Sequence, residues 1–324
     1  MNHSSKCDIR GKSVLVTGGA GFIGSHLVSR LVEGGATRVI VLDSLRYGDP
    51  ANLSTLSDAV QLVPFTLGTD SSQKLKEVLQ GIDYVFHLAA EKHNQSKETP
   101  YQVIRANIDG SLALFESAAA AGVKKLVYTS SLYAYGRMDS PRFEELEVPH
   151  PKTIYGISKL AGEYLCDYIG QQSGLACNVL RYLFIYGPKQ FAGMGYKSVI
   201  VKNFERIING ESPIVYGDGL QTLDYVFVDD AVDATLLALN DGCKGEVFNV
   251  ATGNGVTVKQ LIETMLRVAD SDLKISYAEA DWTAGTVRVG SGQKAAKMLG
   301  WQPKVSLEDG LRRTYNWMKG LRKS

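Results

Sequence analysis

The chain has only four cysteines in 324 residues, Cys7, Cys166, Cys177 and Cys243, with no CxxC pair and no Cys/His cluster. That pattern signals neither a zinc site nor a disulfide framework, and free thiols suit a reducing compartment. No stretch of about 18 consecutive apolar residues is present, which excludes a hydrophobic spanning helix. Met1 to Arg10 is polar and lacks the apolar run of a secretory signal. A soluble, cytoplasmic protein is the expectation. Excess charge of one sign is lacking too. The net charge is +1, with acids and bases interspersed, so no global pull toward nucleic acid or an anionic membrane is expected. Repeats, low-complexity tracts and Pro/Ser-rich linkers are absent from the sequence.

What is there is an ordinary globular composition, 44% hydrophobic and 21% charged, long enough for one large or two modest domains. The first half alternates short β-branched runs with amphipathic stretches. Ser13–Thr17, Arg38–Leu42, Val60–Phe65, Tyr84–Leu88, Leu126–Ser130 and Asn178–Tyr182 are predicted strands, with helical segments between, the first at His26–Glu33. Strands alternating with helices imply right-handed crossovers and a parallel, doubly wound α/β sheet of Rossmann type. Beyond Gly187–Pro188 the pattern changes. A Gly/Lys-rich loop, Gln190–Lys197, leads into a helix at Val199–Asn209. Predicted strands follow at Ile214–Tyr216, Thr222–Val228, Val247–Val250 and Lys274–Tyr277, with helices at Ala231–Leu239, Val258–Ala269 and Leu307–Gly320. The expected division is a dinucleotide-binding domain over 1–182, taking in elements from about 222–250, and a smaller α+β substrate-binding lobe over 183–324, with a cleft between.

Thr17-Gly18-Gly19-Ala20-Gly21-Phe22-Ile23-Gly24 lies between a predicted strand and helix. Gly18 suits the tight turn, Gly21 lets backbone approach a pyrophosphate, and Gly24 lets the helix pack against the strand. The helix N-terminus supplies N–H groups for phosphates. Asp43 ends the second strand, where an acid holds a ribose 2′-hydroxyl and repels a 2′-phosphate. NAD is thereby favoured over NADP, although Arg46 nearby keeps NADP open. The bland alternative is a plain turn and a surface Asp.

Tyr155-Gly-Ile-Ser-Lys159 opens a helical stretch to about Ile169. Residues four apart share a helical face, so phenol and ammonium point to one place. A free tyrosine titrates near pH ~10. A neighbouring cation favours the phenolate, which can take an alcohol proton as hydride leaves carbon. Lys159 can also bond the nicotinamide ribose. Ser131, ending a strand at Thr129-Ser130-Ser131, can hold the substrate oxygen in line with the phenol. Taken singly, a YxxxK pair is an ordinary helical pair and a Ser/Thr run a strand end.

With these motifs stand HLAA at 87–90, Asn107 in ANIDGS, SSLYAYG at 130–136, RYLFIYGP at 181–188, DYVFVDDAVDA at 224–234 and LGWQP at 299–303. On them the chain resembles, over nearly its whole length, the extended short-chain dehydrogenase/reductases, in their NAD-dependent sugar epimerase/dehydratase branch. The resemblance implies that Phe22 and Ile23 flank the pyrophosphate and Asp43, beside Ser44, holds the adenosine ribose. It places Thr69 and Asp70 near the adenine. Leu88, Ala89, Ala90 and Lys92 line the cofactor, and Asn107 orders that wall. Tyr155, Lys159 and Ser131 carry the catalysis. It also implies a homodimer through the helices around 107–121 and 155–169.

Departures from the family narrow the function. Leu132 and Tyr133 stand where dehydrating members place an Asp and a Glu, and decarboxylating members have a Glu at the position of Tyr133. Both activities are disfavoured. Phe184 replaces an Asn that contacts the substrate diphosphate, and Leu223 replaces an Arg on the same group. Lys189, Lys197, Lys202, Arg206 and Arg288 are candidate replacements, each otherwise a solvated surface charge. Tyr216, in IVYGDG, occupies the place where the family stacks an aromatic on the base, or is simply a cleft-edge strand residue. His87 is expected to be a satisfied core histidine, while Glu91 and His93 are candidate extra acid/base groups. Three readings remain: a sugar 4-epimerase, with a nucleotide-sugar as the expected substrate; a dehydrogenase or keto-sugar reductase with net redox; and a non-catalytic cofactor-binding protein.

Overall fold

The computed structural model describes residues 8–56, 58–136, 142–190, 197–281 and 283–321. Cys7 and most of the predicted Gln190–Lys197 loop lie outside these residues.

Seven strands form one sheet: β1 (Ser13–Thr17), β2 (Arg38–Asp43), β3 (Val60–Pro64), β4 (Tyr84–His87), β5 (Lys125–Ser131), β6 (Ala176–Tyr182) and, late in the chain, Glu246–Val250. From one edge the order is Glu246–Val250, β6, β5, β4, β1, β2, β3. Every neighbouring pair is parallel. A sheet covered on both faces must be apolar on both, and Val14, Leu15, Val16, Val39, Ile40 and Val41 are all buried. The helices are α1 (Phe22–Glu33), α2 (Ser72–Val78), α3 (Gln95–Glu98), α4 (Pro100–Ile104), α5 (Gly110–Ala120), α6 (Ile154–Ser173) and α7 (Val199–Ile208), followed by Val228–Leu237, Val258–Val268, Gln293–Leu299 and Leu307–Gly320. Helix α1 begins four residues before its predicted start. The glycines that argued for a turn are the N-cap Gly21 and the first-turn Gly24.

The smaller strands form three short sheets. Phe184–Tyr186 pairs with Tyr225–Phe227, Ile214–Tyr216 with Ser276–Ala278, and Thr222–Leu223 with both Val256–Thr257 and Val287–Arg288. The predicted strand Thr222–Val228 is therefore broken in two. Its break is Asp224, whose buried carboxylate accepts N–H bonds from Thr252, Gly253 and Gly290. Satisfying that charge takes the chain out of one short sheet and into another. The LGWQP segment is structural: buried Trp301 donates to the carbonyl of Asp230 at 2.8 Å. Among the described residues no helix is long and apolar enough to cross a membrane.

Candidate active site

The cleft opens at the carboxyl ends of β1 and β4, where the strand order reverses. Gly18 follows β1 at φ +72°, a left-handed conformation, and a Cβ there would lie 2.9 Å from the nitrogen of Ala89. A Cβ on Gly24 would lie 2.1 Å from the carbonyl oxygen of Gly18. The third glycine thus packs α1 onto the glycine turn itself, not onto the strand as the sequence suggested. No side chain caps α1, which leaves first-turn N–H groups for an anion. Gly18, Gly21, Phe22, Ile23 and Gly24 line a cavity of about 480 Å³.

Asp43 and Ser44 line the same cavity. Asp43 accepts from the nitrogens of Ala20 at 3.0 Å and Leu45 at 2.9 Å. Burial raises its pKa and the two N–H bonds oppose the rise. Its remaining lone pairs suit a ribose diol. Arg46 is committed elsewhere, 2.6 Å from a carboxylate oxygen of Glu91. The Tyr47 hydroxyl donates to the other Glu91 oxygen at 3.3 Å, and the Lys92 ammonium sits 4.1 Å from the Tyr47 ring centre. Glu91 is thus a bridge across the rim of the cleft, and the sequence reading of it as an acid/base group is replaced by that structural role.

Two cofactor residues expected from the resemblance fall elsewhere. Thr69 and Asp70 are exposed, and the Asp70 carboxylate turns back to accept from the nitrogen of Thr66 at 2.9 Å. Phe65, Thr66 and Leu67, directly after β3, line the cleft in their place. Asn107 is buried behind the wall that Leu88, Ala89, Ala90 and Lys92 present. It sits in a π-helical turn, Arg105–Asp109, between α4 and α5. The widened turn lets its side chain accept from the nitrogen of Glu91 at 2.7 Å and donate to the Glu91 carbonyl at 3.1 Å and the Ser158 hydroxyl at 3.0 Å. It orders the wall without forming it.

The hydroxyl of Thr153 caps α6, and the nitrogen of Tyr155 donates to Ser96 at 2.9 Å, so the start of the helix is fixed. Lys159, one turn on, donates to the carbonyl of Thr129 at 2.8 Å, and its nitrogen lies 5.8 Å from the Tyr155 ring centre. Ser131, at the end of β5, lines the same cleft, its hydroxyl oxygen accepting from the nitrogen of Tyr133 at 3.3 Å. Tyr155, Lys159 and Ser131 therefore converge in the cleft. Their protonation differs from the sequence expectation. Burial pushes the phenol up to about 12, opposed by the neighbouring Ser131 hydroxyl, and pushes the Lys159 amine down to about 7, opposed by Glu163. A buried ammonium is as costly as a buried phenolate, so the amine yields its proton first. Glu163, a further turn along α6, is held by Arg181 at 2.6 and 2.9 Å and by the Ser130 hydroxyl. The end of β5 is thereby tied to α6.

A second cavity, about 680 Å³, shares His93, Ser131, Tyr133 and Gln190 with the first and includes Phe184, Lys197, Tyr216 and Arg288. The sequence drew attention to Tyr133 only as a missing acid. Its ring stacks on His93 at 4.1 Å and meets Tyr155 edge-on at 5.8 Å, and the Arg288 guanidinium lies 5.7 Å from its ring centre. Burial and the nearby Arg288 lower the His93 pKa. His87 is the satisfied core histidine, between Thr17 at 2.7 Å and Ser111 at 2.9 Å, and its pKa falls to about 3. Phe65–Leu67 could have been found by counting from the strand end; the aromatic bridge of Tyr47 has no local sequence signal.

The fold is a Rossmann-type α/β sheet with Tyr155, Lys159 and Ser131 gathered at one cleft, and the comparisons say which family builds this arrangement. The model of the NAD dependent epimerase/dehydratase family matches residues 14–251. The chain belongs to that family, within the extended short-chain dehydrogenase/reductases. It is 32% identical to the putative UDP-glucose 4-epimerase of Methanocaldococcus jannaschii over 94% of this chain and 98% of that one. The UDP-glucose 4-epimerase of Thermotoga maritima, solved with UDP-glucose, superposes with a TM-score of 0.89 at 37% identity, over 96% and 99% of the two chains. The dTDP-glucose 4,6-dehydratase of Streptomyces venezuelae, solved with NAD, gives 0.87 at 30%, over 96% and 98%.

Proposed function

We propose that the protein is a sugar 4-epimerase that works through a transient 4-keto intermediate. The observation that carries the reading is the convergence of Tyr155, Lys159 and Ser131 on one cleft, with Leu132 and Tyr133 where an eliminating enzyme needs carboxylates. NAD, held by the cofactor-lining residues of the cleft, would supply a hydride acceptor and, once reduced, a hydride donor. Ser131 holds the C4 oxygen against the phenol. Tyr155 receives the C4 hydroxyl proton and later gives it back, and the Lys159 ammonium stabilises the phenolate that exchange requires. Gly18, Gly21, Phe22, Ile23, Gly24, Asp43, Ser44, Leu88, Ala89, Ala90 and Lys92 are the residues we assign to the cofactor. The named relatives carry names of enzymes acting on nucleotide sugars, which supports a nucleotide sugar as the substrate class. In this reading the first cavity takes the cofactor, and the second, which meets it at Ser131 and Tyr133, takes the substrate.

The test is turnover of C4-epimeric nucleotide sugars by protein purified with no NAD added. Product at the epimeric C4 position without growth of absorbance at 340 nm is expected. Stoichiometric NADH build-up would favour the dehydrogenase reading instead. We further propose a homodimer through α6 and, in place of the expected helix around 107–121, which exposes no large apolar side chain, the neighbouring α4, where Tyr101 and Ile104 are exposed beside Ile157, Tyr164 and Tyr168 of α6.

A further inference from the structure

We infer that Glu91 helps set the cofactor preference of this chain: by capturing Arg46 it withdraws a guanidinium placed to receive a 2′-phosphate, and so turns NADP away. The inference rests on the assignment of the glycine-lined cleft to the dinucleotide, and not on the epimerase reading. NADP differs from NAD by a phosphate on the 2′-oxygen of the adenosine ribose. Where a Rossmann-type sheet accepts that phosphate, an arginine close after the second strand suits it, because the planar fork matches the phosphate oxygens. Arg46 stands three residues beyond Asp43, the last residue of β2. The chain therefore carries two opposed signals side by side: an acid that suits a free ribose diol and an arginine that suits a phosphorylated one.

The geometry of the rim resolves the conflict. The loop after β2 folds back over Asp43. Leu45 takes φ +58° and gives its N–H to the carboxylate at 2.9 Å, and a Cβ on Gly48 would lie 2.7 Å from one Asp43 oxygen. Ser44, Tyr47 and Gly48 all line the cofactor cavity, whereas Arg46 between them does not. Its guanidinium reaches instead to the chain after β4, where Nη1 donates to Glu91 at 2.6 Å and to Gln102 of α4 at 3.0 Å. Glu91 is itself anchored. Its second carboxylate oxygen accepts from the Tyr47 hydroxyl at 3.3 Å, and its backbone nitrogen donates to Asn107 at 2.7 Å. Only 13% of the Glu91 side chain is exposed, and a carboxylate so covered is costly to leave without its cation. A 2′-phosphate would have to draw Arg46 away from that acid while lying beside a second one, Asp43. Lys92, 4.1 Å from the Tyr47 ring centre, lines both cavities. Its charge is present whichever dinucleotide binds.

Competition of NADP against isotope-labelled NAD on the full-length protein, read by equilibrium dialysis, gives the ratio of the two dissociation constants. The unaltered protein should bind NADP at least about 100-fold more weakly than NAD. Glu91→Gln keeps the shape of the side chain and removes the charge that holds Arg46. The ratio should then fall at least about tenfold, through tighter NADP, with NAD affinity within about threefold of the parent. Arg46→Ala alone should not improve NADP binding, and added to Glu91→Gln it should abolish the gain. A ratio unmoved by Glu91→Gln, or a gain that survives the loss of Arg46, would overturn the inference. Glu91→Ser carries the same expectation should the glutamine variant not fold. Asp43→Ala separates the inference from the assignment beneath it. Unaltered NAD affinity in that variant sinks the cofactor site, whereas weakened NAD binding there with an unmoved ratio in Glu91→Gln sinks only the role of Glu91.

Discussion

Replacing Lys159 by methionine isolates the electrostatic part of the mechanism. In the protein's own field the amine titrates at about 7 and the phenol at about 12. The phenolate–ammonium pair is a tautomer of the phenol–amine pair, so both carry one proton fewer than the fully protonated site. Activity of the unaltered enzyme should therefore rise tenfold per unit up to about pH 7 and then level off. The lysine's advantage is the attraction between ammonium and phenolate. Taking the 5.8 Å from the Lys159 nitrogen to the Tyr155 ring centre and an effective dielectric of about 20, this is roughly 3 kcal/mol, or about two pK units. Lys159→Met should then lose about 50- to 100-fold in kcat/KM at pH 7. The variant has no group titrating near 7, so its rate should keep climbing tenfold per unit. The electrostatic gap should nearly close by about pH 9. Any loss of ribose contact adds a factor that does not vary with pH, so the shape of the profile is the readout. A variant that levels off near pH 7, parallel to the parent, would refute the reasoning.

Three further outcomes follow from the packing. Glu163→Gln leaves the Arg181 guanidinium, with only 5% of its side chain exposed, without its carboxylate, and urea denaturation should show a loss of about 3–5 kcal/mol. Gly24→Ala puts a methyl against the Gly18 carbonyl; thermal melts and NAD quantification of the purified protein should show about 1–3 kcal/mol of destabilisation and reduced cofactor retention. Tyr164→Glu with Tyr168→Glu, on the exposed face of α6, should give a monomer by light scattering while leaving the far-ultraviolet circular dichroism unchanged.

The parallel sheet was legible because its strands are uninterrupted β-branched runs, and because glycine turn, Asp43 and YxxxK each sit at a fixed distance from a strand or helix end. Lys159 and Tyr155 meet because helical periodicity alone brings them together. What was illegible depends on tertiary contacts. Thr69 and Asp70 were misplaced because the chain turns sharply at Thr66, and a carboxylate that could face an adenine instead closes that turn. Glu91 passed for an acid/base group because its partners, Arg46 and Tyr47, are remote in sequence. The strand at Thr222–Val228 looked continuous because the requirement that breaks it, pairing of the Asp224 carboxylate, is met by loops after residue 250. The order in which Tyr155 and Lys159 titrate is a matter of burial, which spacing does not report.

The most direct test of the central claim follows deuterium placed at C4 of a sugar that the protein turns over. Mass and NMR analysis of both epimers, with no cofactor added, should find the label retained at C4, with no reduced cofactor released. Loss of the label to solvent, or its recovery in free NADH, would contradict the account.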